Sequence, residues 1–137
     1  MTSSAGTQQS TGVLRWQLSC VIVLAMVAGC SGPRHEPVDA DVARNALIQV
    51  LETWKRGGTV SELRAQTPEI VVQEALWTGG AALTEYSLLD QGRVEDANLF
   101  CEVELTIQRP GTGKLEKKKV TYVVGTAPVI TVFRAIL

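Results

Sequence analysis

Residues 96–124 read DANLFCEVELTIQRPGTGKLEKKKVTYVV, the pattern of two strands joined by a short turn. Apolar and polar side chains alternate up to Gln108, which is the period of a strand with one buried face. Residues 109–114 are rich in proline and glycine, which favour a turn. Alternation resumes from Leu115 to Val124, so we predict a β-hairpin. The inward residues of its first strand are Leu99, Cys101, Val103, Leu105 and Ile107.

The register of this hairpin follows from the length of its loop. If residues 110–113 form the loop, Arg109 faces Lys114 and all further pairs are fixed. A slip of one residue would place apolar against polar side chains throughout. The predicted apolar pairs are Val103 with Val120, Cys101 with Tyr122 and Leu99 with Val124, and the polar pairs are Glu104 with Lys119 and Thr106 with Lys117.

Two further strands flank the hairpin. Residues 82–90 alternate and end at the turn residues Gln91-Gly92. Residues 125–128 form another turn, and residues 129–136 make a last strand with little polarity. We expect this strand to lie inside the sheet or to be covered on both faces. Residues 70–72 are either a short strand or an extended core segment.

The best helix precedes these strands. Asp39 is a typical N-cap, and apolar residues recur every three or four positions from Ala40 to Arg56 before Gly57-Gly58 ends the helix. Ser61 is predicted to cap a short helical turn that runs to Gln66. Residues 74–80 are predicted to form another turn of helix that carries Trp77.

The predicted fold class is α+β, with an N-terminal helix packed on a curved antiparallel meander sheet of about four strands. Residues 39–137 form a single domain, and strand order follows the chain. This element order resembles the cystatin-like and nuclear-transport-factor-2-like folds. The resemblance implies no activity, because such folds carry both enzymes and binders.

Residues 1–29 have the features of a secretory signal peptide. Arg15 supplies positive charge, and the apolar run from Leu18 to Ala28 is shorter than the roughly 20 residues that span a bilayer. Val27-Ala28-Gly29-Cys30 resembles the lipobox of bacterial lipoproteins. The resemblance implies cleavage after Gly29 and acyl chains on Cys30, which would anchor the protein firmly in a membrane.

On that reading, residues 30–38 are the lipidated cysteine and a flexible tether. The domain would hang from a cell membrane or outer membrane and face the periplasm or the exterior. In lipoproteins, a serine such as Ser31 permits sorting to the outer membrane. The alternative is ordinary secretion with Cys30 unmodified.

Charge and composition exclude several classes of function. The chain has 13 basic and 14 acidic residues, so it lacks the basic footprint of a nucleic-acid-binding protein. Once Cys20 leaves with the signal and Cys30 is acylated, Cys101 is alone and no internal disulfide forms. Its place among alternating apolar residues predicts an inert core thiol.

No catalytic constellation is present in the sequence. His35 is the only histidine and lies in the tether, so nucleophilic catalysis lacks a base and zinc lacks convergent ligands. We therefore predict no catalytic residues, no metal and no cofactor. Glu102 and Glu104 share one strand face, which we interpret as a solvated, salt-bridged surface.

Two groups of residues remain as binding candidates. The first is a candidate pocket between helix and sheet, with plain core packing as the alternative: Trp54, Trp77, Tyr86 and Tyr122. The second is a candidate contact with anionic surfaces, with lysines that blunt an exposed strand edge as the alternative: Lys114, Lys117, Lys118 and Lys119.

We therefore expect a lipid-anchored, non-catalytic binding module of the bacterial envelope, with a protein partner or a small apolar ligand. A structural envelope component, which would expose a broad apolar patch, is another reading. The main alternative is a small enzyme with an acid/base site inside a cone-shaped sheet. Buried Glu85 or Asp90 beside Tyr86 or Tyr122 would support an enzyme.

Overall fold

The computed structural model describes residues 35–136, together with the isolated residues 2, 6 and 32. The predicted cleavage site and Cys30 lie outside these residues, as does nearly all of the predicted signal peptide. The chain divides into two units, residues 1–34 and residues 35–137, and the fold below is that of the second.

The long helix, α1 (Ala40–Lys55), forms as predicted. The Asp39 carboxylate accepts hydrogen bonds from the backbone N–H groups of Asp41 and Val42, at 3.1 and 3.0 Å, and so satisfies two otherwise unpaired donors. The apolar stripe is buried against the sheet: Ala43, Ala46, Leu47, Val50, Leu51 and Trp54.

Two short helices follow. α2 (Val60–Ala65) is capped by Thr59, not by Ser61 as predicted. The reason is a reciprocal capping box, in which the Thr59 hydroxyl accepts from the Glu62 N–H while the Glu62 carboxylate accepts from the Thr59 N–H. α3 (Ala75–Thr78) is the predicted turn of helix that carries Trp77.

Six strands form one curled sheet. They are β1 (Ile70–Gln73), β2 (Ala82–Leu88), β3 (Arg93–Glu95), β4 (Asn98–Gln108), β5 (Leu115–Gly125) and β6 (Ile130–Arg134). The order across the sheet is β1-β6-β5-β4-β2, and β3 pairs with β4 alongside β2. The last strand therefore lies inside the sheet, as its low polarity predicted.

The predicted hairpin register is confirmed at every position. Val103 faces Val120, Cys101 faces Tyr122, and Leu99 faces Val124 on the helix side. The loop closes where expected, because the Arg109 N–H donates to the Lys114 carbonyl at 3.0 Å. The period of two and the loop length were sufficient to fix eleven cross-strand pairs.

The prediction of about four antiparallel strands in chain order is wrong in its count and partly in its direction. It is also wrong in its order, because β6 lies between β1 and β5. β3 is only three residues long, too short for alternation to be visible in the sequence. The sequence of residues 70–72 allows a short strand or an extended core segment, and the structure has a strand, β1, which pairs with β6 in parallel over Ile70–Gln73. A parallel partner 60 residues away along the chain leaves no local turn signal.

The bend after β2 brings backbone against the core. Gly92 has φ +87°, and a Cβ atom there would lie 2.8 Å from both Cys101 Sγ and Leu99 Cδ1. Only glycine combines this backbone conformation with this close approach. The position lets the chain turn from β2 into β3 without leaving the edge of β4.

Candidate functional site

Three polar side chains meet on the helix side of the sheet, at one end of three neighbouring strands. Glu74 follows β1, Arg134 ends β6, and Tyr122 lies in β5. Tyr122 and Arg134 are direct cross-strand partners. In the β1–β6 register Gln73 lies opposite Phe133, so the next residues along the two strands, Glu74 and Arg134, are neighbours. We call Glu74, Arg134 and Tyr122 the buried row.

The Glu74 carboxylate is the centre of the buried row. Its side chain is 1% exposed, whereas that of Arg134 is 23% exposed. Oε2 accepts a hydrogen bond from the Tyr122 hydroxyl at 2.6 Å. Oε1 accepts from the Leu76 N–H at 2.9 Å and lies 3.2 Å from Arg134 Nη1. Both oxygens are therefore occupied, as a buried carboxylate requires.

These contacts suit structural support better than proton transfer. Burial, and then the negative charge of Glu74, raise the pKa of the Tyr122 phenol far above its usual range, so the phenol stays protonated. Tyr122 is 1% exposed and cannot reach a substrate. The buried row holds β1, β5, β6 and the start of α3 together, and only Arg134 reaches the surface.

Three open grooves lie next to one another around the carboxyl end of β6, and we call them the β6-end grooves. Their volumes are about 630, 390 and 340 Å³. The first and second share Arg134 and Ile136, and the first and third share Glu102, Thr121 and Ala135. They are therefore adjacent grooves that extend from α3 to the open face of the sheet.

The open face of the sheet mixes half-buried aromatic residues with charges at the rim. Phe100 and Phe133 flank Val123 across β4, β5 and β6. The Arg93 guanidinium lies 5.5 Å from the Phe100 ring centre, a cation–π contact. Such a surface offers both apolar area and charge to a partner.

The four predicted pocket residues do not converge on one pocket. Trp54 is buried, donates from Nε1 to the Ala81 carbonyl at 2.8 Å, and stacks on Trp77 with ring centres 5.6 Å apart. Tyr86 lies apart from this pair and donates to Glu52 Oε1 at 2.6 Å. Tyr122 belongs to the buried row. None of the four lines the β6-end grooves.

The four predicted surface lysines are split between the two faces of the sheet. Lys117 and Lys119 lie on the open face, while Lys118 faces the helix side, and Lys114 is in the exposed loop. Lys117 Nζ lies 3.2 Å from Glu104, and Lys119 Nζ lies 2.8 Å from Glu102. These ion pairs are therefore diagonal, although Glu104 and Lys119 face each other in register as predicted.

The remaining sequence candidates are placed as follows. Glu85, Asp90 and His35 are exposed, so neither carboxylate named in the enzyme alternative is buried beside a tyrosine. Cys101 is a free, buried thiol, and burial raises its pKa. Among residues 35–136 no cluster of three histidine, cysteine or acidic side chains is arranged to hold a metal.

Sequence reasoning missed Glu74 and assigned Arg134 no role. A glutamate at the start of a helical turn has an ordinary explanation as an N-cap, and Glu74 does serve as one for α3. The available signal was the strand period: Ile70 and Val72 face inward, so Glu74 falls on the same face. The same alternation in β6 places Arg134 on the face that carries Ile130 and Val132.

Within the described part of the chain, no helix has the length and apolarity needed to cross a bilayer. Comparison with protein-family models, curated proteins and solved structures finds no match for this chain.

Proposed function

We propose that this protein is a lipid-anchored binding module of a bacterial envelope, held by acyl chains on Cys30, that binds a protein partner at the β6-end grooves. The adjacent grooves with charged rims are the observation that carries the binding function. The lipobox-like sequence Val27-Ala28-Gly29-Cys30 supports the anchor.

Binding is favoured over catalysis by the state of the ionisable groups. A general acid or base needs access to its substrate and a pKa near the working pH. Tyr122 has neither, and both oxygens of Glu74 are engaged. Arg134 is the member of the buried row that can touch a ligand, and an arginine fixed by a carboxylate is suited to recognition.

A protein partner is favoured over a small apolar ligand because the space between helix and sheet is filled. Trp54 and Tyr122 are 2% and 1% exposed, and Leu47, Leu51 and Leu105 are fully buried. The grooves instead lie open on the surface with charged and apolar residues side by side. This composition resembles a polar, solvent-accessible protein interface.

The anchor is tested by the intact mass of the protein extracted from membranes of a producing bacterium. We expect the mass of a chain that starts at Cys30 and carries acyl groups. Cys30→Ser should release the protein from the membrane fraction. A product that retains its initiator methionine, or a serine variant that stays equally membrane-bound, would disprove the anchor.

The binding function is tested in intact membranes by a photo-crosslinking amino acid placed at Thr121, which lines two grooves. The matched control places the same group at Arg64, which is exposed on α2. We expect a discrete protein adduct from position 121 and none from position 64. Equal labelling from both positions, or none from position 121, would argue against a partner at this site.

A further inference from the structure

The first half of β5 has an edge without a strand partner among the described residues. β4 pairs with β5 along its whole length, but β6 pairs with β5 only over Tyr122–Gly125. One further bond, from the Ala135 N–H to the Thr121 carbonyl at 2.8 Å, is the last contact of this kind among the described residues. Residues 115–119 therefore continue beside the largest of the β6-end grooves with no described strand on this side.

The backbone groups on this edge can be assigned individually. In an antiparallel pair, successive residues direct their N–H and C=O groups to opposite neighbours. Thr121 bonds toward β6, so Lys119, Lys117 and Leu115 direct their groups the same way, where no described strand pairs with them. Val120 and Lys118 direct theirs toward β4. The edge is thus a ready template for an added strand.

Charge indicates which strand fits. Residues 114–119 contain four lysines and one glutamate, although the chain as a whole has a net charge of −1. Arg134 adds a further cation to the same groove. The Lys117 and Lys119 side chains remain 70% and 62% exposed despite their ion pairs. Two copies of this edge would repel each other, whereas an acidic segment would be attracted.

Resting on the proposed function, we propose that the partner adds an extended acidic segment as a new strand along residues 115–119 of β5. Backbone hydrogen bonds from Lys119 and Lys117 would align the segment. Its acidic side chains would meet lysines on both faces of the sheet, and Arg134 on the helix side. Anionic lipid is the less favoured ligand, because the lysines do not share one face.

Proline at position 117 tests the backbone separately from the side chain. The Lys117 N–H points away from β4 and toward no described strand, so Lys117→Pro removes no bond within the described sheet and is tolerated at an edge. Lys117→Ala is the matched control, since it removes the same ammonium group but keeps the N–H. Both variants lose the ion pair with Glu104 equally.

The assay uses the full-length protein in detergent and a short synthetic peptide in which glutamate alternates with valine and threonine. Affinity is measured by fluorescence anisotropy, and amide hydrogen exchange by NMR. We expect the peptide to slow exchange at Lys117 and Lys119 but not at Val120, which is already paired. Lys117→Pro should weaken binding about tenfold relative to Lys117→Ala, the equivalent of one backbone bond.

Several results would overturn the proposal: equal affinity of the proline and alanine variants, no slowing of exchange at the two lysines, or tighter binding to phosphatidylglycerol vesicles than to the peptide. Dimers that form through the same edge would also overturn it. If the peptide fails while the crosslink from position 121 persists, the strand-addition proposal is wrong and the protein partner stands. If the crosslink also fails, the proposed function itself is wrong.

Discussion

Replacing Tyr122 by phenylalanine removes one oxygen atom from the buried row and leaves the ring in place. The hydroxyl donates to Glu74 Oε2 at 2.6 Å, and no other described residue is bonded to Oε2. The substitution therefore leaves half of a buried carboxylate without a donor. If the buried row supports the fold, the free energy of unfolding must fall.

The magnitude follows from burial. A hydrogen bond to a charged group contributes about 1.5–3 kcal/mol, and an unsatisfied buried acceptor adds to the loss. With Tyr122 and the Glu74 side chain each 1% exposed, we expect Tyr122→Phe to cost about 2–3 kcal/mol. For a domain of this size the melting temperature should fall by roughly 10 °C.

Tyr86→Phe is a matched control. Tyr86 donates to Glu52 Oε1 at the same distance of 2.6 Å, but this pair is exposed to solvent. We expect a loss below about 1 kcal/mol, because water replaces the lost donor. Urea unfolding followed by the fluorescence of the Trp54–Trp77 stack measures both variants.

A double-mutant cycle isolates the interaction. In a Glu74→Leu background, Tyr122→Phe should cost much less than in the wild-type protein, because the partner is already gone. Similar losses for Tyr122→Phe and Tyr86→Phe, or an unchanged cost in the Glu74→Leu background, would refute the assignment of a structural carboxylate.

Three further outcomes are expected. Gly92→Ala should destabilise the domain by at least about 2 kcal/mol more than Gly111→Ala, measured by urea unfolding, because both have positive φ but only the first has a Cβ clash. Burial and the hydrogen bond to Glu52 raise the pKa of Tyr86 to about 12. The protonated phenol therefore stabilises the fold fully below pH 10, and this stabilisation is lost toward pH 12. An absorbance titration in alkali should show that Tyr86 ionises well above pH 10. The hydrogen bond from Arg109 is the main cause that lowers the pKa of Glu116 to about 2. The ionised carboxylate therefore stabilises the fold above pH 4.5, and this stabilisation is lost as the pH falls toward 2. Arg109→Gln should move the pKa of Glu116, measured by NMR titration, back toward 4.5.

The hairpin was fully predictable, and the reasons are local. Alternation from Leu99 to Ile107 defines which face is buried, and the loop at residues 110–113 fixes the register. The helix α1 was predictable for the same reason, because cap, stripe and stop signal lie within one short segment.

The features that could not be predicted from the sequence depend on contacts between distant segments. The pairing of β1 with β6 depends on contacts between segments 60 residues apart, and no pattern within either segment predicts that the two strands pair. The buried row depends on that pairing, since Glu74 meets Arg134 only after the two strands lie side by side. Reading each segment alone could place Glu74 on an inward face but could not supply its partners.

The position of β6 has a consequence for how the domain is made. This strand joins β1 to the rest of the sheet, yet it is the last of the described elements to be synthesised. A nascent chain that ends before Ile130 would therefore carry β1 and the hairpin without the strand that joins β1 to the rest of the sheet. We expect ribosome-arrested chains of that length to be degraded by added protease, and chains that include Arg134 to resist it. For the proposed envelope protein, such late closure would keep the polypeptide threadable through a translocation channel until β6 has been made.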